Sequence, residues 1–369
     1  MRVLCVTDQS SSSRESLMEG IFRGSLPQYC ELHVVVFDRA AKEVTLDGNQ
    51  ISLPYRYKKL GAARLLAKHL DLQQIDVVIV RNYFGVLRSF LQVRSGYRFR
   101  LGFWNTFPHT FRRYFQALQE KRAVLRKRLE YQVRSLWEMR LLRGCDFLIV
   151  MSEEFKRSFH GELAIAYHVL PMGVDPGELP ERLATPGGAK RFVYIGTIDR
   201  LRKVDLIIEA MTSLEEDFVL DIYTESDNEA VDWVRKVQDA RVRLCPALPR
   251  PELLQRLAGY DVGIGLIPEN PLYNVSSPTK TIEYYGVGLP ALLNYLPEYR
   301  ALFDEESAFF CPFSKEGIRQ AVRRILGTDS RELVAMGQKG KRLIDETRNY
   351  RVLSLRLFEF LQKLTEGSR

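Results

Sequence analysis

Short apolar runs recur along this chain, each followed by a stretch of helical period, and the pattern occurs twice. The first set covers residues 2–7, 31–37, 76–80, 97–103 and 147–151. The second covers residues 191–196, 219–223, 242–245, 261–267, 289–294 and 308–310. Runs without apolar/polar alternation suit strands buried on both faces, and parallel strands need a helix to return the chain between them. The expected fold is therefore α/β, with two Rossmann-like, doubly wound domains. A length of 369 residues suits two domains of ordinary size rather than one small core. The loop richest in helix and strand breakers near the middle is 176–190, with Pro-Gly, Leu-Pro and Thr-Pro-Gly-Gly, and the junction is expected there. The domains are set at 1–172 and 173–349.

Composition narrows the class. With 46% hydrophobic and 27% charged residues the chain is globular, not disordered. No apolar run approaches the roughly 20 residues of a membrane-spanning helix. The first residues enter a strand directly, without a basic segment and apolar core of leader type. Five scattered cysteines without a Cys-x-x-Cys pair read as buried thiols of a reducing compartment. A cytoplasmic location is expected, with a peripheral place on the inner face of the plasma membrane as a further option. Residues 110–143 concentrate charge, with ten basic and three acidic side chains and neither Gly nor Pro. Apolar residues at 111, 115, 118, 125, 129, 133, 136 and 137 keep a helical period. One or two amphipathic helices with a basic outer face are expected. That face is either simply solvated or drawn to an anionic membrane surface or diphosphate-lipid acceptor, at about 1 kcal/mol per basic residue.

Residues 261–294 carry the most chemistry. An apolar strand leaves through Pro268, a polar loop follows, and Ser276-Ser277-Pro278 offer an N-cap and N1 proline for a helix from Thr279. A helix N-terminus presents free N–H groups and positive dipole, which suits a diphosphate. Lys280 adds charge one turn inside, and Glu283 can accept hydrogen bonds from two vicinal ribose hydroxyls.

The run from Ser277 to Pro290, SPTKTIEYYGVGLP, resembles the P-x-K-x-x-E-Y-x-x-x-G-x-P signature of GT-B glycosyltransferases, especially the large retaining family that uses UDP- or GDP-sugars. Three further stretches are similar to that family in its order. They are Tyr194-Ile195-Gly196-Thr197 with Arg202-Lys203-Val204-Asp205 and Ile208-Glu209-Ala210, then Pro171-Met172-Gly173-Val174-Asp175, and Cys145 to Ser152. The resemblance implies two facing domains with a cleft at the C-terminal ends of both sheets, and a last helix over 350–369 that returns to the first domain.

It also implies a site. Donor-binding residues would be Gly196, Thr197, Arg202, Ser277, Thr279, Lys280, Thr281 and Glu283, with Arg202 where the family has its phosphate-binding Lys. The family's preceding Arg falls on Thr197. The first Glu of its paired-Glu motif falls on Val275, and Glu269 is the nearest acid upstream. Catalytic candidates are His109 and Asn105, near the position of a family His, together with Glu269. Ser11, Ser12 and Ser13 stand where the family has a Gly-Gly pair and form a candidate phosphate or acceptor loop. No Asp-x-Asp pair and no His/Cys cluster suggests a metal, so neither metal nor cofactor is expected and the nucleotide-diphosphate sugar is substrate.

The expected activity is sugar transfer from such a donor, UDP before GDP, to a glycan or polyprenyl-diphosphate-linked acceptor at the cytoplasmic membrane face, with retention. An inverting, glucuronosyltransferase-like enzyme and a non-catalytic nucleotide-sugar binder remain as alternatives. Nucleic-acid binding is not expected, because no aromatic-interleaved basic loop or duplex-binding motif occurs.

Overall fold

The computed structural model describes residues 1–10, 15–182 and 188–366. It divides into two compact units, Met1–Pro171 with Tyr350–Arg369, and Met172–Asn349.

The first unit holds eight strands: β1 (Arg2–Val6), β2 (Glu31–Asp38), β3 (Thr45–Asp47), β4 (Gln50–Pro54), β5 (Val77–Arg81), β6 (Arg100–Asn105), β7 (Phe147–Val150) and β8 (Ala166–Val169). Their order in the sheet is β3-β4-β2-β1-β5-β6-β7-β8, parallel throughout except for the β3/β4 hairpin. Every residue of β5 and β7 is buried, as expected of strands covered by helices on both faces. β3, β4 and β8 have no counterpart among the apolar runs. The hairpin turns at Gly48, in left-handed backbone (φ 54°), with Asp47 opposite Gln50. The Asp47-Gly48 dipeptide was its sequence signal. β8 lies at the sheet edge with its first half exposed, so it carries no continuous apolar run.

Residues 110–143 form two helices, His109–Gln119 and Val124–Leu142. Between them Lys121 (φ 52°) and Ala123 (φ 48°) take left-handed backbone. Phe115 is buried, and Phe111 packs against Tyr131 and Phe159. The second helix overturns the expectation of apolar positions turned inward. Leu125, Leu129, Val133 and Leu136 are 81%, 61%, 61% and 73% exposed, and only Leu142 of that helix is buried. Its apolar residues spread around more than one face, so part of them lies beside the basic side chains.

The second unit has six parallel strands: β9 (Lys190–Ile195), β10 (Phe218–Tyr223), β11 (Val242–Cys245), β12 (Val262–Ile264), β13 (Ala291–Leu293) and β14 (Ala308–Phe310), in the order β11-β10-β9-β12-β13-β14. Phe192, Ile207, Ile208, Leu220, Ile222 and Val322 belong to its core. The breaker-rich loop does not mark the junction between units. Asp175 accepts from Gly177 N–H at 2.9 Å to start a turn at Pro176–Glu178, and Arg182 donates to Gly288 O at 2.9 Å. Turn residues here bend a segment that packs inside the second unit. Among the described residues, no helix is long and apolar enough to cross a membrane.

Candidate active site

In the second unit, the helix Thr279–Gly286 starts behind Pro278, which occupies the cap position and offers no side-chain bond to the first amides. The sequence suggested that serine would cap it. Instead Ser277 Oγ donates to Glu298 Oε1 at 2.9 Å and accepts from Met172 N–H at 3.1 Å. Glu298 is buried and also paired with Arg348 at 2.9 Å. Thr281 Oγ1 donates to Tyr299 OH at 3.0 Å, which in turn donates to Gly265 O at 2.7 Å. A side-chain contact from Ser277 or Thr281 to a donor would therefore have to break a buried network. Their part is to hold the loop. The amides that follow Pro278 carry the opening that the helix presents, and Thr279 beside them is half-buried.

Lys280 and Glu283 lie one turn apart. Lys280 Nζ sits 4.1 Å from the centre of the Tyr194 ring and donates to Leu266 O at 3.4 Å. Its residue keeps a partly exposed edge, but enclosure of the ammonium, with Arg202 adding to it, lowers its pKa well below the usual lysine value. Glu283 is buried, and Arg250 Nε donates to its Oε1 at 2.9 Å. Burial raises the Glu283 pKa and Arg250 opposes the rise. Arg250 also pairs with Glu178, while its Nη2 is buried without a hydrogen-bond partner among the described residues. Arg250 and Glu178 escaped the sequence reading, because both lie far along the chain from Glu283 and in no motif.

Gly196 follows β9 with φ 123°, where an added Cβ would meet nothing but would sit in strained backbone. The backbone can thus come close to a ligand there. Thr197 is exposed, and its carbonyl accepts from Tyr194 OH at 3.0 Å. Arg202 is tied to Asp199 at 2.6 Å and lies over the Tyr273 ring. Glu269 is exposed and accepts from Asn294 Nδ2 at 3.1 Å. Val275, which stands at the family's first Glu, is buried.

In the first unit the C-terminal ends of β1, β5 and β6 bring polar groups together. Arg81, 4% exposed, pairs with Asp8 at 2.7 Å and with Glu15 at 3.3 Å, and its guanidinium lies 4.7 Å from the Trp104 ring centre. Asn82 has left-handed backbone (φ 58°) and donates to Asp8 at 3.0 Å and to Thr106 Oγ1 at 2.8 Å. Burial raises the Glu15 pKa against the pull of Arg81. None of these ties was foreseen, though the rule that ligands gather at the carboxyl ends of strands points to these positions.

His109 edges onto the Phe107 ring at 5.2 Å with one face exposed. Packing around the imidazole lowers its pKa, and Asp8 opposes the shift. Asn105 is buried and shares a hydrogen bond with His160 at 3.2 Å. Both, with Asn82 and His109, line a cavity of about 110 Å³. Ser11, Ser12 and Ser13 lie outside the described residues. Among the described residues no group of three or more His, Cys, Asp or Glu could hold a metal ion.

Two parallel-sheet units of this kind define a GT-B glycosyltransferase fold, and solved structures of that class align along the whole chain. Sucrose-phosphate synthase from Thermosynechococcus elongatus is 14% identical, with 100% of both chains covered and a TM-score of 0.75. The α,α-trehalose 6-phosphate synthase of Burkholderia multivorans is 12% identical, covering 100% of this chain and 97% of its own at TM-score 0.71. The E. coli trehalose-6-phosphate protein bound with UDP-2-fluoro glucose is 13% identical, covering 98% and 99% at TM-score 0.69. Residues 28–178 match the family model described as Glycosyltransferase Family 4. The search of curated proteins gave no match.

Proposed function

We propose that this enzyme moves a sugar from a UDP-sugar to an acceptor that carries a phosphate or diphosphate, with retention and without a metal ion. The observation that carries the donor half is the helix Thr279–Gly286, which sets an uncapped N-terminus, Lys280 and the buried Glu283 in one short element. The amides and dipole would take the diphosphate, Lys280 and Arg202 would add charge, and Glu283 would accept from the ribose hydroxyls. In the reaction the bond from the sugar C1 to the β-phosphate oxygen breaks and a bond from C1 to the acceptor oxygen forms. The acceptor's hydroxyl proton leaves toward the departing UDP, whose charge the helix N-terminus stabilises.

Three likenesses support the choice of partners. A similar solved structure holds a UDP-sugar analogue, and two others are named for the synthesis of sugar phosphates. In the first unit, His109 with its lowered pKa would act as a neutral hydrogen-bonding group toward a sugar hydroxyl. The basic helices between His109 and Leu142 suit work beside an anionic membrane surface.

A thermal-shift panel of UDP, GDP and their sugars tests the reading, since a ligand at about 100 times its Kd stabilises by roughly 2.7 kcal/mol. UDP should shift the transition more than GDP, and UDP release on adding a phosphorylated sugar acceptor should need no divalent ion. A shift by neither nucleotide would end the donor assignment.

A further inference from the structure

Three cavities of the first unit meet at one side chain. A groove of about 800 Å³ runs between the helices His109–Gln119 and Val124–Leu142, with walls that are nearly all carbon and include Tyr114, Leu129, Val133 and Trp137. A second cavity, of about 570 Å³, is lined by Tyr55, Lys58, Lys59, Tyr83 and Asn82. The third is the polar cavity of about 110 Å³ that holds His109, Asn105 and Asn82. Arg134 lines all three, and Trp137 is shared by the first two. Arg134 Nε is bound to Glu138 at 3.0 Å, which leaves its terminal nitrogens with no protein partner among the described residues. Lys58 Nζ lies 3.9 Å from the Tyr83 ring centre and 4.7 Å from that of Tyr55, so it is held at the cavity wall.

The two larger volumes are those of small-molecule pockets, roughly 300–1,000 Å³, and the polar cavity is smaller. Their sequence of chemistry is directional. A carbon-walled groove rimmed by Arg113, Arg126 and Lys127 shares Arg134 with the cavity that holds Lys58 and with the one that holds His109, and Asn82 is common to those two. Burying aliphatic carbon in the groove is favourable, and a phosphate is matched to a guanidinium with free donors. A protein helix would use the groove but not the polar branch, and a plain sugar phosphate would use the polar branch but not the groove.

We infer that the first unit binds a phosphate-bearing amphiphile as the acceptor, its aliphatic chain in the groove between the two helices and its phosphate on Arg134 and Lys58. This rests on the transferase reading above and narrows its acceptor to a lipid phosphate whose head group extends toward Asn82 and His109.

Binding of monomeric decyl phosphate to the full chain, followed by calorimetry and by Trp137 fluorescence, tests it beside decanol and inorganic phosphate. Decyl phosphate should bind at least about tenfold tighter than either half alone. Leu129→Gln combined with Val133→Gln changes two exposed positions, so the fold is kept. That variant should lose the gain from the chain and keep the response to phosphate. Arg134→Gln should bring decyl phosphate down to the level of decanol. Equal binding of decyl phosphate and decanol would overturn the inference, as would an affinity untouched by the Gln pair. Binding to anionic vesicles with none to monomeric decyl phosphate would make the helix a membrane face and likewise overturn it. UDP affinity measured on the same samples separates the two readings. UDP binding without decyl phosphate binding defeats the acceptor inference alone. The reverse result defeats the donor reading and leaves the lipid-phosphate site standing.

Discussion

In the second unit, the side chains expected to meet a donor come largely from one stretch of chain, with Lys280 and Glu283 a turn apart on a single helix. In the first unit, Asp8, Arg81, Asn82 and Thr106 come from three different strand ends and are joined by hydrogen bonds between distant residues. Both sets lie at the carboxyl ends of parallel strands. One is a local element that any helix N-terminus could host, whereas the other exists only once the sheet order β1-β5-β6 has formed. Similar architecture thus leaves a site's dependence on tertiary structure open. Lys280 and Glu283 of the second unit should respond to mutation mainly in binding, and the first unit's cluster mainly in folding.

The largest effect should come from Arg81→Met. It leaves Asp8 and Glu15 without their buried partner, and breaking such a pair costs about 3–5 kcal/mol. Denaturant unfolding should show that loss in the first unit. A change below 1 kcal/mol would mean that the cluster is solvated and the contrast is false.

Acid should then separate the units. All five histidines lie in the first one, and burial lowers the pKa of both His160 and His168 to about 4. Their folded-state pKa is depressed, so their stabilisation is complete above the usual histidine value and fades as pH falls toward 4. Each contributes up to roughly 3 kcal/mol over that range. Asp239 and Asp304 of the second unit also have lowered pKa values, held by Arg241 and Lys339, but their loss falls below the ordinary carboxylate range. Between pH 6.5 and 4, fluorescence from Trp104 and Trp137 should therefore report melting before Trp233 does. His168→Asn should flatten that slope, and coincident transitions for all three tryptophans would remove the distinction.

Glu283→Ala should weaken UDP binding by about 2–3 kcal/mol with little change in the melting of the first unit. Unchanged UDP affinity would take Glu283 out of the ribose site. The smallest effect concerns Lys280, whose pKa is lowered by burial and by Arg202. A diphosphate held beside Lys280 would raise that pKa, so UDP binding should be accompanied by proton uptake. Calorimetry in buffers of different ionisation enthalpy measures this, and Lys280→Met should abolish it.

Much of the fold could be read from the chain, because strands covered on both faces must be apolar throughout. The strands that escaped are those with one open side. β8 is half-exposed at the edge, and β3 and β4 form a hairpin whose mark is a turn rather than an apolar run. Helical period located residues 109–142 as helix but not their environment. Periodicity assumes that a core waits on the apolar side, and Leu125 and Leu136 have none. Lys280 and Glu283 were legible because local spacing defines them. Arg250, Glu178 and Arg81 were not, since their roles depend on partners as much as 73 residues away.

The helix Tyr350–Glu366 belongs to the first unit although the whole second unit precedes it. Gly20 leaves room for the Tyr350 ring, which an added Cβ would strike, and Phe360 covers Phe147 and His168. At roughly 5–20 residues per second of synthesis, that patch stays uncovered on the order of 10–35 s after the rest of the unit has been made. During this interval the nascent sheet lacks the Phe360 cover over Phe147 and His168. The first unit's sheet therefore completes its packing only after the whole second unit has been made.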